Sequence, residues 1–235
     1  MTYVMADLHG RFAEYRQMLE LICFSGEDQL YLLGDLCDRG PESAALLLDV
    51  MDRKNTVCLK GNHEDMACKS LPYLFRDPGN LGPLGTAAVR RWYANGGEET
   101  YRSLMALAEA DRQRILAFMK KSPLYLELTV AGQPYLLMHT LSELFSANYS
   151  ITAYEDRDFL WERPKNFDQT FRLKGQPEGV KFLIGHTPTL HLGGRRPEIF
   201  FGRGNVIDLD CGAGYPEYGG RLGCLCLETK ETYYI

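Results

Sequence analysis

Gly34-Asp35-Leu36-Cys37-Asp38-Arg39-Gly40 sets two carboxylates and a guanidinium between glycines, directly after the apolar run Leu30-Tyr31-Leu32-Leu33. A short apolar run bounded by turn residues reads as a buried strand, and one that ends on charge presents its loop as a site. Two other stretches repeat the arrangement: Tyr3 to Ala6 precedes Asp7-Leu8-His9-Gly10, and Thr56 to Leu59 precedes Lys60-Gly61-Asn62-His63. Helical periodicity follows each. Phe12, Tyr15, Met18, Leu19 and Ile22 recur at helical spacing after the first, and a helix opens at Pro41 after the second, where proline is well tolerated at the first helical position. A third helix is expected over roughly Glu64 to Ser70. Three such units in succession imply parallel strands with crossover helices, and sites in those sheets gather beyond the carboxyl ends of the strands.

The chain has 235 residues, 45% hydrophobic and 24% charged, which suits one globular domain spanning 1–235. A net charge of -5 and a pI near 5.6 argue against nucleic acid as the main partner, because such binders carry a basic excess or stripe. No apolar run approaches the ~20 residues of a membrane span, and the start of the chain lacks the charged and apolar regions of a signal peptide. The seven cysteines are scattered and form no C-x-x-C pair, which favours reduced thiols in a cytoplasmic protein. A monomer is expected.

Beyond the third unit the texture changes. Pro72, Pro78 and Pro83 with several glycines read as a loop. Two helical patterns then follow, one marked by Tyr101, Leu104 and Leu107, the other capped by Asp111 and carrying Ile115, Phe118 and Met119. Residues 71 to 123 thus form a helical insertion beside the site. Tyr125 to Val130 and Tyr135 to Met138 read as a hairpin that delivers His139 at its end. Residues 143 to 178 read as a long loop with short helices, Val180 to Ile184 as a strand leading to Gly185-His186-Thr187-Pro188, and the tail as strands at Val206 to Leu209, Leu222 to Leu227 and Thr232 to Ile235.

Two divalent cations about 3.5–4 Å apart repel each other, so a dinuclear site needs an anionic ligand between them. Asp35 suits that role. Asp7 and His9 would hold the first ion with it, while Asn62, His139 and His186 complete the second, a mixed oxygen and imidazole set that suits manganese, iron or zinc. Such a pair lowers the pKa of a shared water toward ~7, so hydroxide attacks phosphorus and no serine or cysteine nucleophile is required. His63, next to Asn62, is placed to protonate the leaving group, and Asp38 to orient its imidazole. Arg39 and a second arginine would clamp the phosphoryl oxygens.

In order, Asp-x-His-Gly, Gly-Asp-x-x-Asp-Arg-Gly, Gly-Asn-His-Glu, a lone histidine after a strand and Gly-His-Thr-Pro resemble the phosphoprotein phosphatase family of calcineurin-like metallophosphoesterases, nearest its small bacterial and phage serine/threonine phosphatases. Trp92-Tyr93-Ala94-Asn95-Gly96-Gly97 and Leu160-Trp161-Glu162-Arg163 are similar to those enzymes as well, which makes Arg163 the second phosphate arginine. The resemblance implies an α/β fold in which two mixed sheets form a sandwich flanked by helices. It implies the same ligands, with His63 and Asp38 as the acid pair. One departure is Met138-His139-Thr140, where relatives often carry alanine or glycine after the histidine.

The expected function is removal of phosphate from phosphoserine and phosphothreonine in proteins, and from small phosphoesters, by two divalent ions, manganese first among them. The rival activity is symmetrical hydrolysis of dinucleoside tetraphosphates; the non-enzymatic rival is a phosphate-binding regulatory module on a retained fold. Four of the five histidines fall in the motifs, and His191 reads as a surface residue. Cys224 and Cys226 read as one buried face of a strand, Asp208 and Asp210 as structural hydrogen-bonders, and Arg90, Arg91 and Arg102 as a solvated helix face.

Overall fold

The structure is a computed structural model that describes residues 1–192 and 196–235. The three expected units are present: β1 (Thr2–Met5) with α1 (Phe12–Leu21), β2 (Gln29–Leu32) with α2 (Ser43–Asp52), and β3 (Thr56–Cys58) with α3 (Asn62–Arg76). Three further helices follow, α4 (Gly82–Tyr93), α5 (Gly97–Met105) and α6 (Glu109–Lys121). Then come the hairpin β4 (Tyr125–Val130) and β5 (Gln133–Met138), the short α7 (Asp156–Leu160), β6 (Lys181–Ile184), β7 (Phe200–Phe201), β8 (Val206–Asp208), β9 (Gly223–Cys226) and β10 (Thr232–Tyr234).

The strands form two five-stranded mixed sheets, ordered β10-β9-β1-β2-β3 and β4-β5-β6-β8-β7. Each contains three adjacent parallel strands (β1, β2, β3 and β5, β6, β8), with β9 and β10 pairing antiparallel along one side of the first and β4 and β7 antiparallel at the two edges of the second. The faces follow the period of two. Tyr3 and Met5 pack toward the helices, whereas Val4 and Ala6 join Leu33, Leu59, Tyr135, Leu137 and Leu183 in the layer between the sheets. On β6, Phe182 and Ile184 face a third apolar cluster with Phe159 and Phe171 on the outside of the second sheet. A one-residue slip would exchange these faces, so the burial pattern fixes the register. The loops after the parallel strands of both sheets therefore meet at one end of the sandwich.

Two sequence expectations change. Residues 71 to 76 are helix rather than loop, because the buried stripe Met66, Ala67, Ser70, Leu71, Leu74 continues through Pro72, and its burial outweighs the one backbone bond proline removes. The helical insertion accordingly begins after Arg76 and contains three helices instead of two. Asp111 does not cap α6, which starts at Glu109 after Ala108; it lies in the first turn, where its charge favours the helix dipole and its carboxylate meets Arg114 at 2.9 Å. Among the described residues no helix is long and apolar enough to cross a membrane.

Candidate metal centre and acid pair

The site is assembled by backbone before side chains. The loop after β1 is laced to the loop after β2 by His9 N–H donating to Asp35 O at 2.9 Å, Gly10 N–H to Leu36 O at 2.7 Å and Gly40 N–H to His9 O at 3.0 Å. The Glu64 carboxylate, on the first turn of α3, accepts from the backbone N–H groups of Asp35, Leu36 and Gly61 at 2.8 Å and of Cys37 at 3.3 Å. It is the peg on which the Gly34 to Gly40 loop hangs. These ties hold unusual backbone: Asp7, His9, Asp35, Asp38, Arg39 and His186 all have positive φ, a conformation costing about 1–3 kcal/mol per residue unless its surroundings enforce it. Gly61 and Gly185 complete the construction, since a Cβ at either would collide with the Asp35 or the Asp7 carboxylate.

Around this frame the side chains converge. His9, Asp35 and His63 offer ligand atoms within 4.8 Å of one another, and so do Asp35, His139 and His186. Asp35 alone belongs to both groups, as a bridging ligand must. His139 Nδ1 bonds the Leu33 carbonyl at 2.8 Å, which places its proton there and leaves the Nε2 lone pair facing inward. That lone pair lies 2.9 Å from Asn62 Oδ1, 3.2 Å from His186 Nδ1 and 3.5 Å from Asp35 Oδ2. Among the described residues, His186 Nε2 is buried without a partner. Electron-rich atoms crowded in this way repel one another unless a cation draws them together, so the residues fit the two-ion site that the sequence implies. His9 is oriented likewise, by its Nδ1 on Cys37 O at 3.0 Å.

Protonation follows the same division. Burial pushes His9, His139 and His186 below the ordinary histidine range, helped for His9 by Arg39 and for His186 by His139. They are neutral, the form in which imidazole ligates. Asp35 is buried too, yet positive charge on the histidines around it, when they carry a proton, holds its carboxyl far below the usual range. His63 is the exception: burial opposes its charge, but Asp35 and Asp38 outweigh it and raise its pKa.

His63 Nδ1 sits 2.6 Å from Asp38 Oδ2. Asp38 is itself fixed by residues of the insertion, accepting from Trp92 Nε1 at 2.9 Å and from the Thr100 hydroxyl at 2.7 Å. The insertion is thus part of the acid's scaffold rather than merely a neighbour of the site. A cavity of about 280 Å³ is lined by Arg39, Asn62, His63, Trp161, Arg163 and His186 among others. Arg39 reaches His9 Nε2 at 2.6 Å and His63 Nε2 at 3.2 Å and lies against the Tyr215 ring at 4.4 Å. Arg163 Nη1 donates to the His186 carbonyl at 2.8 Å and to Thr187 Oγ1 at 2.9 Å. Arg157 instead pairs with Glu162 at the surface. Thr140, the departure noted above, gives its hydroxyl to the Glu162 carbonyl at 2.7 Å and so ties the Arg163 segment to the end of β5.

Asp7 belongs to neither convergent group. Its buried carboxylate accepts from the His186 N–H at 2.9 Å, and burial, with Asp210 and Asp35 nearby, raises its pKa. Asp208 and Asp210 are structural acceptors, for the N–H groups of Asp210 and Gly212, and burial brings Asp210 to about 7. Glu64 and Trp92, which stand in quoted motifs, and Thr100 and Tyr215 are the residues to which the sequence assigned no role. Glu64 carried a usable signal, since a glutamate three residues into a helix start commonly reaches back to free N–H groups. Replacing it by alanine would leave four buried donors unpaired, at about 1–3 kcal/mol each before water relieves some of them; Glu64→Ala is expected to cost about 3 kcal/mol or more, read from the denaturant midpoint.

A family model described as calcineurin-like phosphoesterase matches residues 2–213. Serine/threonine-protein phosphatase 1 of Salmonella typhimurium is 26% identical over 228 residues, 94% of this chain and 89% of its own length. A symmetrical bis(5'-nucleosyl)-tetraphosphatase of Proteus mirabilis is 40% identical over an alignment of 274 residues, covering 100% of this chain and 96% of its own. In fold, the chain is similar to a solved metallophosphoesterase from Sphaerobacter thermophilus, with TM-score 0.55 and 15% identity over 100% of this chain and 87% of that one. It is similar also to a protein serine/threonine phosphatase from Saccharomyces cerevisiae, with TM-score 0.57 and 14% identity over 100% and 79%.

Proposed function

Because the chain belongs to the calcineurin-like phosphoesterase family, we propose that it is a metal-dependent phosphomonoesterase that removes phosphate from phosphoserine and phosphothreonine in proteins. Two divalent cations, manganese by preference, would lower the pKa of a water they share and draw charge from the phosphoryl oxygens. Asp35, His9, Asn62, His139 and His186 would hold the two cations, and Asp7 would join once its proton is displaced. Arg39 and Arg163 both line the cavity and would grip the remaining phosphoryl oxygens with paired donors. His63, whose pKa Asp35 and Asp38 raise, would give its Nε2 proton to the departing oxygen.

The acid pair carries the choice of substrate. A serine or threonine alkoxide is a poor leaving group and needs a proton as the ester bond breaks, whereas a nucleotide phosphate leaves far more readily. A buried histidine with a raised pKa on a fixed carboxylate suits the harder departure. The cavity also continues, through Arg39, Asn95 and Tyr215, into an open groove of about 360 Å³ where a peptide chain can lie. Symmetrical dinucleoside tetraphosphate hydrolysis is the second reading. It is favoured by the name of the Proteus mirabilis relative and by Arg11, which lines that groove and offers a cation for a phosphate beyond the scissile one.

Initial rates on a phosphothreonine peptide, a phosphotyrosine peptide and diadenosine tetraphosphate under the same manganese concentration test the choice. The phosphothreonine peptide is expected to be hydrolysed fastest; a rate on diadenosine tetraphosphate tenfold above it would reverse the assignment.

A further inference from the structure

A cavity of about 900 Å³ lies away from the acid pair, under the segment 170–180 that leads into β6. The charged side chains that line it are Arg172, Lys174, Lys181 and Arg203, against the single carboxylate Glu178. Four cations together are unusual on a chain of net charge -5. Arg172, Lys174 and Arg203 are exposed and form no ion pair among the described residues, while Lys181 makes a long contact of 3.3 Å with the Gly204 carbonyl. Like charges that line one cavity raise its potential and draw in anions.

The walls are built rather than loose. Asn205, at the entry to β8, accepts from Phe171 N–H at 2.9 Å and donates to the carbonyls of Phe171 and Val180 at 2.9 and 3.0 Å. Gln133 Nε2 holds the Gly179 carbonyl at 2.8 Å, and Lys174 N–H meets the Tyr149 carbonyl at 2.9 Å. The segment bearing Arg172 and Lys174 is therefore pinned from both ends before any ligand arrives, which reduces the ordering cost of binding. Gln133, Lys181 and Asn205 stand at the starts of parallel strands whose far ends supply His139 and His186. At about 3.3 Å per residue, Lys181 is about 16 Å along the strand direction from His186.

The geometry points to a second anion site at this end of the sandwich, one that takes a ligand carrying several linked phosphates. Four cations lining one cavity offer more positive charge than a single phosphate neutralises, which a chain of phosphates can match, and the volume lies within the range of cavities that hold nucleotide-sized ligands. The site is separate from the catalytic cavity and does not depend on the reaction proposed above.

Calorimetric titration of the metal-loaded protein with tripolyphosphate, ATP and orthophosphate, compared between the wild type and the double variant Arg172→Ala/Arg203→Ala, tests it. The wild type is expected to bind one equivalent of tripolyphosphate more than the double variant, or to bind that equivalent at least tenfold more tightly, and Arg172→Lys/Arg203→Lys is expected to retain it. Both variants should melt at the wild-type temperature and hydrolyse 4-nitrophenyl phosphate at the wild-type rate. ATP binding like tripolyphosphate would mean that the phosphate chain alone is read; tighter ATP binding would make the ligand a nucleoside polyphosphate. Identical stoichiometry and affinity in the wild type and the alanine variant would overturn the proposal, as would orthophosphate binding as tightly as tripolyphosphate. Absence of 4-nitrophenyl phosphate turnover would bear on the catalytic reading alone.

Discussion

Asp35→Asn is expected to lower hydrolysis of 4-nitrophenyl phosphate by more than ~100-fold, beyond the ~10–100-fold that loss of a partner outside the ligand shell costs a metal site. The same change should leave fewer than two metal ions bound per chain. The reason lies in the position of this carboxylate. It is the group common to both convergent clusters, and its Oδ1 also receives the His63 backbone N–H at 3.0 Å. Asparagine keeps the shape and the hydrogen bond but removes the charge that offsets two cations and holds His63 protonated. Metal content measured on the dialysed variant separates the two effects. A variant with two ions and near-normal turnover would remove Asp35 from the bridging role.

The second large effect concerns His63. His63→Asn is expected to reduce turnover of a phosphothreonine peptide by ~10²–10⁴-fold, the usual contribution of a general acid. The loss on 4-nitrophenyl phosphate should be much smaller, because nitrophenolate leaves without a proton. The pH dependence has a definite sign. Asp35 and Asp38 raise the pKa of His63 above the ordinary histidine value, so the wild-type rate on the peptide should fall as pH rises through that higher value. In the variant this alkaline fall should vanish. Equal losses on both substrates would mean that His63 acts by holding the centre together, not by giving a proton.

Much of this site was legible because its residues sit at the ends of apolar runs. Asp7, Asp35, Asn62, His139 and His186 each follow a parallel strand, and parallel strands put their ends together without any knowledge of the loops between them. Arg163 was readable from its neighbours in sequence, and the structure carries it into the cavity while Arg157 turns away to Glu162. What the sequence withheld was support. Trp92 and Thr100 lie 54 and 62 positions from Asp38, with which they bond, and no local pattern announces such a contact. The start of α4 carries Gly82, Pro83 and Gly85, residues that signal turns, so its amphipathic stripe passed for loop. Pro72 did the same for the end of α3, although the buried stripe beneath it never broke.

The support residues also explain why the insertion matters to chemistry. By fixing Asp38 from two helices, α4 and α5 set the angle at which the carboxylate meets His63, and Glu64 sets the loop from which Asp35 and Asp38 both project. A peptide in the groove would pass Asn95 and Tyr215, so the same helices also border the path of the substrate.

Metal dependence tests the account most directly. Protein stripped with a chelator and titrated with manganese should regain hydrolysis of 4-nitrophenyl phosphate in step with the uptake of two ions per chain. Full activity in the chelator, or saturation of the rate at a single ion per chain, would contradict it.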